Sequence, residues 1–227
     1  MASLKREAEK LRSVDAVAAY EILGGLASLT FDDDEVDRNH RAAIALSDSS
    51  VTHYDYAVSL QFVLRRNDAA NEAVTAASMD PLDLDLARTA VKFLSLAGRL
   101  QEALAAFEKL RVRFPQADVG EVSNLPEVIA TLARWDIDES AIQNCQRIAF
   151  DFLRQRKIKA SGASLDTTSA PRDEMLMYSI YLDMPREEVI RLDEELTEHI
   201  WEATQFPGGK QFWIGFEQFK RHEQQAA

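Results

Sequence analysis

The sequence predicts a mainly α-helical protein built from antiparallel helix pairs, with a small strand–helix–strand unit near its C-terminal end. Three observations predict it. Glycine and proline are scarce, 8 and 6 in 227 residues, which leaves little room for the many turns of an all-β chain. Pro81 and Pro115 stand 34 residues apart and each closes a helical pattern of matching spacing. A fixed period of that length marks stacked helix–turn–helix units. Beyond residue 175 the apolar period changes from that of a helix to that of a strand.

The elements follow in order. Ser3 can cap a first helix that carries Leu4, Leu11, Val14 and Val17 on to Leu29, with breaks expected near Ser13-Val14-Asp15 or at Gly24-Gly25. Phe31-Asp32-Asp33-Asp34-Glu35 reads as a turn feeding a helix of about 35–47, because acidic residues complement the positive end of the helix dipole. Four short helices are expected at about 52–65, 68–78, 84–97 and 100–114. Asn67-Asp68 and Gly98-Arg99 are expected to fill the inner turns, and Pro81 and Pro115 to close the outer ones. Two more helices follow at about 126–135 and 139–157. The small, polar stretch 160–174 reads as a linker or exposed loop. Leu176, Tyr178, Ile180 and Leu182 then share one face of a strand, and Pro185 opens a helix with the stripe Val189, Leu192, Leu196, Ile200. Pro207-Gly208-Gly209 reads as a turn, and Phe212, Ile214 and Phe216 alternate in a second strand. The expected organisation is a helical-pair domain over 1–159, a linker over 160–174 and a C-terminal unit over 175–227.

Composition narrows the function classes. The net charge is −12, which argues against nucleic acid as the main partner, since phosphate binding needs a positive footprint. Cys145 is the only cysteine, so the chain makes no disulfide with itself, which fits a reducing compartment. Its neighbours Ile142, Ile148 and Ala149 mark it as a buried apolar residue. The first dozen residues are charged and lack the apolar core of a signal peptide. No stretch approaches the roughly 18 apolar residues of a membrane span. The expectation is a cytoplasmic protein with no membrane partner.

Within the 34-residue units the small residues recur. The unit at 50–83 places Ala57, Ala69, Ala73, Ala76 and Pro81 at its eighth, twentieth, twenty-fourth, twenty-seventh and thirty-second positions. The unit at 84–117 places Val91, Ala103, Phe107, Leu110 and Pro115 there. This pattern resembles the tetratricopeptide repeat family over residues 50–117. It departs at the fourth position, where His53 and Ala87 replace a bulky residue, and at Leu110, which replaces a small one. The flanking pairs near 16–49 and 124–157 have the right length but not the pattern, and the twentieth position of 16–49 falls on Glu35. The resemblance implies an α–α superhelix whose concave face comes from the first helix of each pair. Carried over, that face is Val51, Tyr54, Val58, Gln61 and Phe62, then Asp85, Arg88, Lys92, Ser95 and Leu96.

Of these, Tyr54, Gln61, Arg88 and Lys92 are the candidate ligand-binding residues. Arg88 and Lys92 stand four apart, hence on one helix face, and paired cations in an acidic chain suit a peptide carboxylate or acidic side chain. The asparagines with which family members clamp a terminal carboxylate are missing. The run from Asp32 to Asp37 with His40 lacks the glycine and alternating ligands of a calcium loop and reads as a helix cap. Glu195 and His199 are spaced as an ion pair, with no nucleophile at diagnostic spacing. His53 reads as a packed residue. Arg147, Arg154, Arg156, Lys157 and Lys159 gather toward a helix C-terminus, where the dipole favours cations. No cofactor or metal is implied. The resulting expectation is a non-enzymatic module that binds a protein or peptide, acidic in character, in a concave groove. The alternative is an enzyme or catalytic accessory subunit with its site between the helical domain and the C-terminal unit. Two strands alone are marginal in water, so either residues 157–165 supply a third strand or two chains pair as a homodimer.

Overall fold

Three helix caps set the register of the first half of the chain. Asp15, Ser49 and Asp83, spaced by 34, accept the backbone N–H three residues on at 3.0, 3.3 and 3.0 Å. Each satisfies one of the orphan donors at a helix start. They open α2 (Ala16–Ser28), α4 (Ser50–Phe62) and α6 (Leu84–Leu96), each of 13 residues. The second helices are α3 (Asp33–Leu46), α5 (Arg66–Met79) and α7 (Leu100–Arg113), each of 14 residues. A further helix, α1 (Ala2–Leu11), packs on α2. The computed structural model describes residues 1–167, 175–203 and 212–219. It divides into two compact units, Met1–Pro126 and Glu127–Ala227, a boundary earlier than the one expected at 159.

In the first unit consecutive helices pack on one another from α1 to α7, and this arrangement of adjacent pairs is compatible with a helical repeat. Each inner turn holds one residue in the left-handed region: Phe31, Leu64 and Gly98, at φ 55°, 63° and 72°. Only Gly98 announces itself in the sequence, since glycine adopts this region without steric cost. Leu64 pays that cost to bury its side chain. The expectation that Asn67-Asp68 fill the turn is therefore corrected: both lie in the first turn of α5. The break in the first helix falls at residues 12–15, and Gly24 and Gly25 sit inside α2. Ser3 lies within α1, whose cap position is Met1.

The pair 16–49 repeats the others once its turn is counted. Four residues, 29–32, join α2 to α3, against three, 63–65, between α4 and α5. The extra residue moves the small-residue register by one. Val36, His40 and Ala43 then align with Ala69, Ala73 and Ala76 and with Ala103, Phe107 and Leu110, and all nine are buried. An arginine staple repeats as well. Arg65, at the cap of α5, bonds Asp68 of that helix at 2.7 Å and Asp37 of α3 at 2.6 Å. Arg99 bonds Glu102 at 2.7 Å and Asn71 of α5 at 2.7 Å. Ala103 has no solvent exposure. Ala103→Leu is expected to lower stability by about 1–3 kcal/mol through overpacking, read from the urea midpoint.

In the second unit α8 (Leu125–Arg134) and α9 (Glu139–Gln155) precede a mixed sheet. Its order is β1 (Gly162–Thr167), β2 (Leu176–Leu182), β3 (Phe212–Gln218), with β1 antiparallel and β3 parallel to β2. The stretch 160–174, expected to be a linker or loop, thus carries the third strand, and the chain itself supplies the partner that β2 requires. The helix α10 (Arg186–Ala203) connects β2 to β3 and packs on β3 and α9. The stripes foreseen for both strands and for α10 are all buried. Phe150 meets Tyr178 edge-on at 6.2 Å, and Phe152 lies 5.9 Å from Phe216, so α9 packs its aromatic face on the sheet. The Asp193 carboxylate accepts the Phe216 N–H at 2.7 Å. A side chain at Gly215 would collide with Asp193 and with the Trp213 ring. Pro207-Gly208-Gly209 and Ser169-Ala170-Pro171 lie outside the described residues.

Candidate functional site

The helix α4 carries apolar side chains on two opposite sides. Tyr56, Ala57 and Leu60 face the core with Thr52 and Ser59, and Val63 follows at the cap. Tyr56, Leu60 and Val63 pack there with Val36 and Ala69. On the opposite side Val51, Tyr54, Val58 and Phe62 stand at i, i+3, i+7 and i+11, a spacing that lines them up in one stripe. Val51 is 60% and Phe62 47% exposed, and Tyr54 and Val58 are half-buried. An apolar stripe on a helix normally packs against another element. The stripe is about 16 Å long at 1.5 Å per residue.

Gln61 lies at the margin of this stripe. Both its amide nitrogen and its amide oxygen are closed off from solvent, and neither has a hydrogen-bond partner among the described residues. An amide left so costs about 1–3 kcal/mol. On the α2 side stand two carboxylates, Glu21 and Asp55. Burial raises the Glu21 carboxyl above its ordinary range, and the charges of Asp55 and Asp15 raise it further. Burial also raises Asp55. Neither carboxylate meets a cation within bonding distance among the described residues. The sequence gives no hint of this pair, because a carboxylate on a helix reads as solvated until its neighbours are known.

On α6 the expected cations behave differently. Arg88 binds Asp85 at 3.1 Å through one terminal nitrogen and the Asp118 carbonyl at 3.0 Å through Nε, with the remaining nitrogen on the same carbonyl. All three nitrogens are engaged within the chain. Lys92 is half-buried one turn further on and also has a partner. Thus Tyr54 and Gln61 share α4, and Arg88 and Lys92 share α6.

The remaining candidates are accounted for locally. Asp32 caps α3 by accepting the Glu35 N–H at 3.2 Å, and Glu35 pairs with Arg38. His40 lies 1% exposed, bonded to the Ser59 hydroxyl at 2.8 Å and stacked 5.1 Å from the Tyr56 ring. Burial pushes its imidazole down to about 4, against the opposing pull of Asp37. His53 sits between Glu72 at 2.6 Å and Asp48 at 2.9 Å. Burial opposes its charge, but the two carboxylates outweigh it and raise its pKa. In the second unit Glu195 bonds Arg191 at 2.5 Å and Arg156 at 3.4 Å, and His199 is exposed beside Phe152. Arg147 bonds Asn144 and Asp151, and Arg156 covers the Phe152 ring. Burial of Cys145 pushes its thiol up to about 11, which makes it inert. A cleft of about 460 Å³ between α1, α2 and α3 is lined by Arg12, Tyr20, Glu35, Arg38 and Asn39 among others. These polar groups bond one another or near neighbours. No described helix is long and apolar enough to cross a membrane.

No family model matches the chain, and the search of curated proteins found no match to it.

Proposed function

We propose that the chain is a non-enzymatic interaction module, a tetratricopeptide-like superhelix that receives a peptide or protein segment along the first helices of its pairs. The observation that carries this reading is the exposed apolar stripe of α4. Burying Val51, Tyr54, Val58 and Phe62 under a partner gains the transfer free energy that folding leaves unused, at about 25 cal/mol per Å² of apolar surface. Tyr54 and Gln61 are contact residues in this reading. Arg88 and Lys92 form the far wall, where Arg88 also holds the loop at Asp118. Localisation in the cytoplasm and self-association as a homodimer belong to the same proposal as open expectations.

A photo-crosslinking amino acid placed at Tyr54 or Phe62 is expected to capture a defined partner from the source cell. The same group at Val74, an exposed apolar residue on the second helix α5, is expected not to. Capture at all three sites, or at none, would reject the groove.

A further inference from the structure

We infer that the segment received by α4 carries a basic side chain, lysine or arginine, next to apolar residues, and that Glu21 and Asp55 hold that cation. This rests on the groove reading above and gives its ligand a chemical class.

Charge complementarity selects this occupant. Glu21 on α2 and Asp55 on α4 lie on first helices that pack together, and they stand 34 residues apart, at equivalent positions of successive repeats. Asp55 follows Tyr54 and falls between Val51 and Phe62 on the exposed side of α4, so it borders the apolar stripe. Two carboxylates on second helices of this unit, by contrast, meet cations. Asp37 meets Arg65 at 2.6 Å and Glu102 meets Arg99 at 2.6 Å. Glu21 and Asp55 are both partly desolvated, and the charge of Asp55 reaches Glu21. A like charge so placed disfavours ionisation of Glu21, and burial disfavours that of Asp55. A bound ammonium or guanidinium would relieve that repulsion and form charge-assisted hydrogen bonds, while its apolar neighbours cover Val58 and Phe62. An acidic partner would meet the same two carboxylates first. Arg88, the cation expected to receive it, is already committed within the chain.

The test uses the full chain and three fluorescein-labelled peptides of 12 residues. They share alternating leucine and phenylalanine positions and differ only in carrying lysine, glutamine or glutamate between them. Anisotropy is expected to show tightest binding of the lysine peptide and a loss of affinity with added salt. The double variant Glu21→Gln/Asp55→Asn is expected to weaken that binding at least about tenfold while raising the melting temperature, since it removes two repelling, desolvated charges. Glu108→Gln/Glu198→Gln, which changes the net charge equally at exposed sites elsewhere, is expected to bind as the parent does. Equal affinity for the three peptides, an equal loss in both double variants, or a lower melting temperature in the first would each overturn the inference. Val58→Asp separates the two readings. If it abolishes binding of all peptides while charge makes no difference, the groove stands and the cation fails. Peptide binding that survives Val58→Asp, or no binding of any peptide, removes the groove itself. Sedimentation as a dimer that Val58→Asp dissolves would assign the stripe to a second copy.

Discussion

Gly24→Ala is expected to destabilise the protein by about 2–3 kcal/mol, whereas Gly25→Ala, one residue on, is expected to stabilise it by up to about 1 kcal/mol. Both glycines lie inside α2, where helix propensity alone favours alanine equally. They differ in what a methyl group would meet. At Gly24 it would stand 2.5 Å from both Cδ2 and Nε2 of His40, while at Gly25 nothing lies within 4 Å. The imidazole has no retreat, because the Tyr56 ring backs it and the Ser59 hydroxyl holds Nε2. Relief would break that hydrogen bond and leave a buried polar atom unpaired. Urea midpoints of the two variants check this. Equal tolerance of both substitutions would mean that α3 does not press His40 into α2.

The second large effect is on pH dependence and concerns the same histidine. An ordinary histidine titrates near 6.5 and folded His40 near 4. Between those values the unfolded chain binds a proton that the folded chain refuses. Stability contributed by the neutral ring is therefore complete above pH 6.5 and lost as pH falls through the window. The loss is about 2 kcal/mol by pH 5 and about 3 kcal/mol in full. His53 has the opposite sign. Its pKa is raised in the fold, so its contribution is complete below pH 6.5 and is lost as pH rises through the folded value. The two histidines together place a stability maximum near pH 6.5. The half-buried carboxyls Glu21, Asp55 and Asp193 are raised as well and favour the fold toward acid, so the histidine effect is read as a difference between variants. His40→Phe keeps the ring against Tyr56 and is expected to flatten the slope between pH 6.5 and 5. A parent-like slope in that variant would refute the assignment.

These two residues also show where sequence reading stops. His40 sits at the end of an acidic run and reads as part of a cap. The cap is real, through Asp32, but the histidine four residues beyond Asp33's first turn belongs to the core. Its counterpart positions in the other pairs are Ala73 and Phe107, both buried. The link is hidden by one extra residue in the turn at 29–32, which displaces the small-residue pattern relative to the 34-residue spacing. Glu21 and Asp55 show the same limit at the candidate site. Each is an ordinary helix carboxylate alone, and only the packing of α2 on α4 brings them within electrostatic reach. Arg88 shows the converse: its spacing from Lys92 is legible, but its bonds to Asp118, 30 residues away, are not.

What the sequence determined by itself is what short-range chemistry controls. The stops at Pro81 and Pro115 and the turn at Gly98 act within a few residues, so most helix boundaries could be placed within a turn or so. The apolar periods of β2, β3 and α10 likewise follow from residues two to four apart. The tertiary structure alone decided the rest. Gly162–Thr167 has neither alternation nor bulk, and it is a strand because β2 offers it an antiparallel ladder from Gly162↔Tyr181 to Thr167↔Leu176. Leu64 takes a left-handed backbone because burying its side chain outweighs the strain. The α4 stripe is a surface only because no described element covers it. Each of these outcomes depends on contacts between residues distant in the chain, which no local pattern encodes.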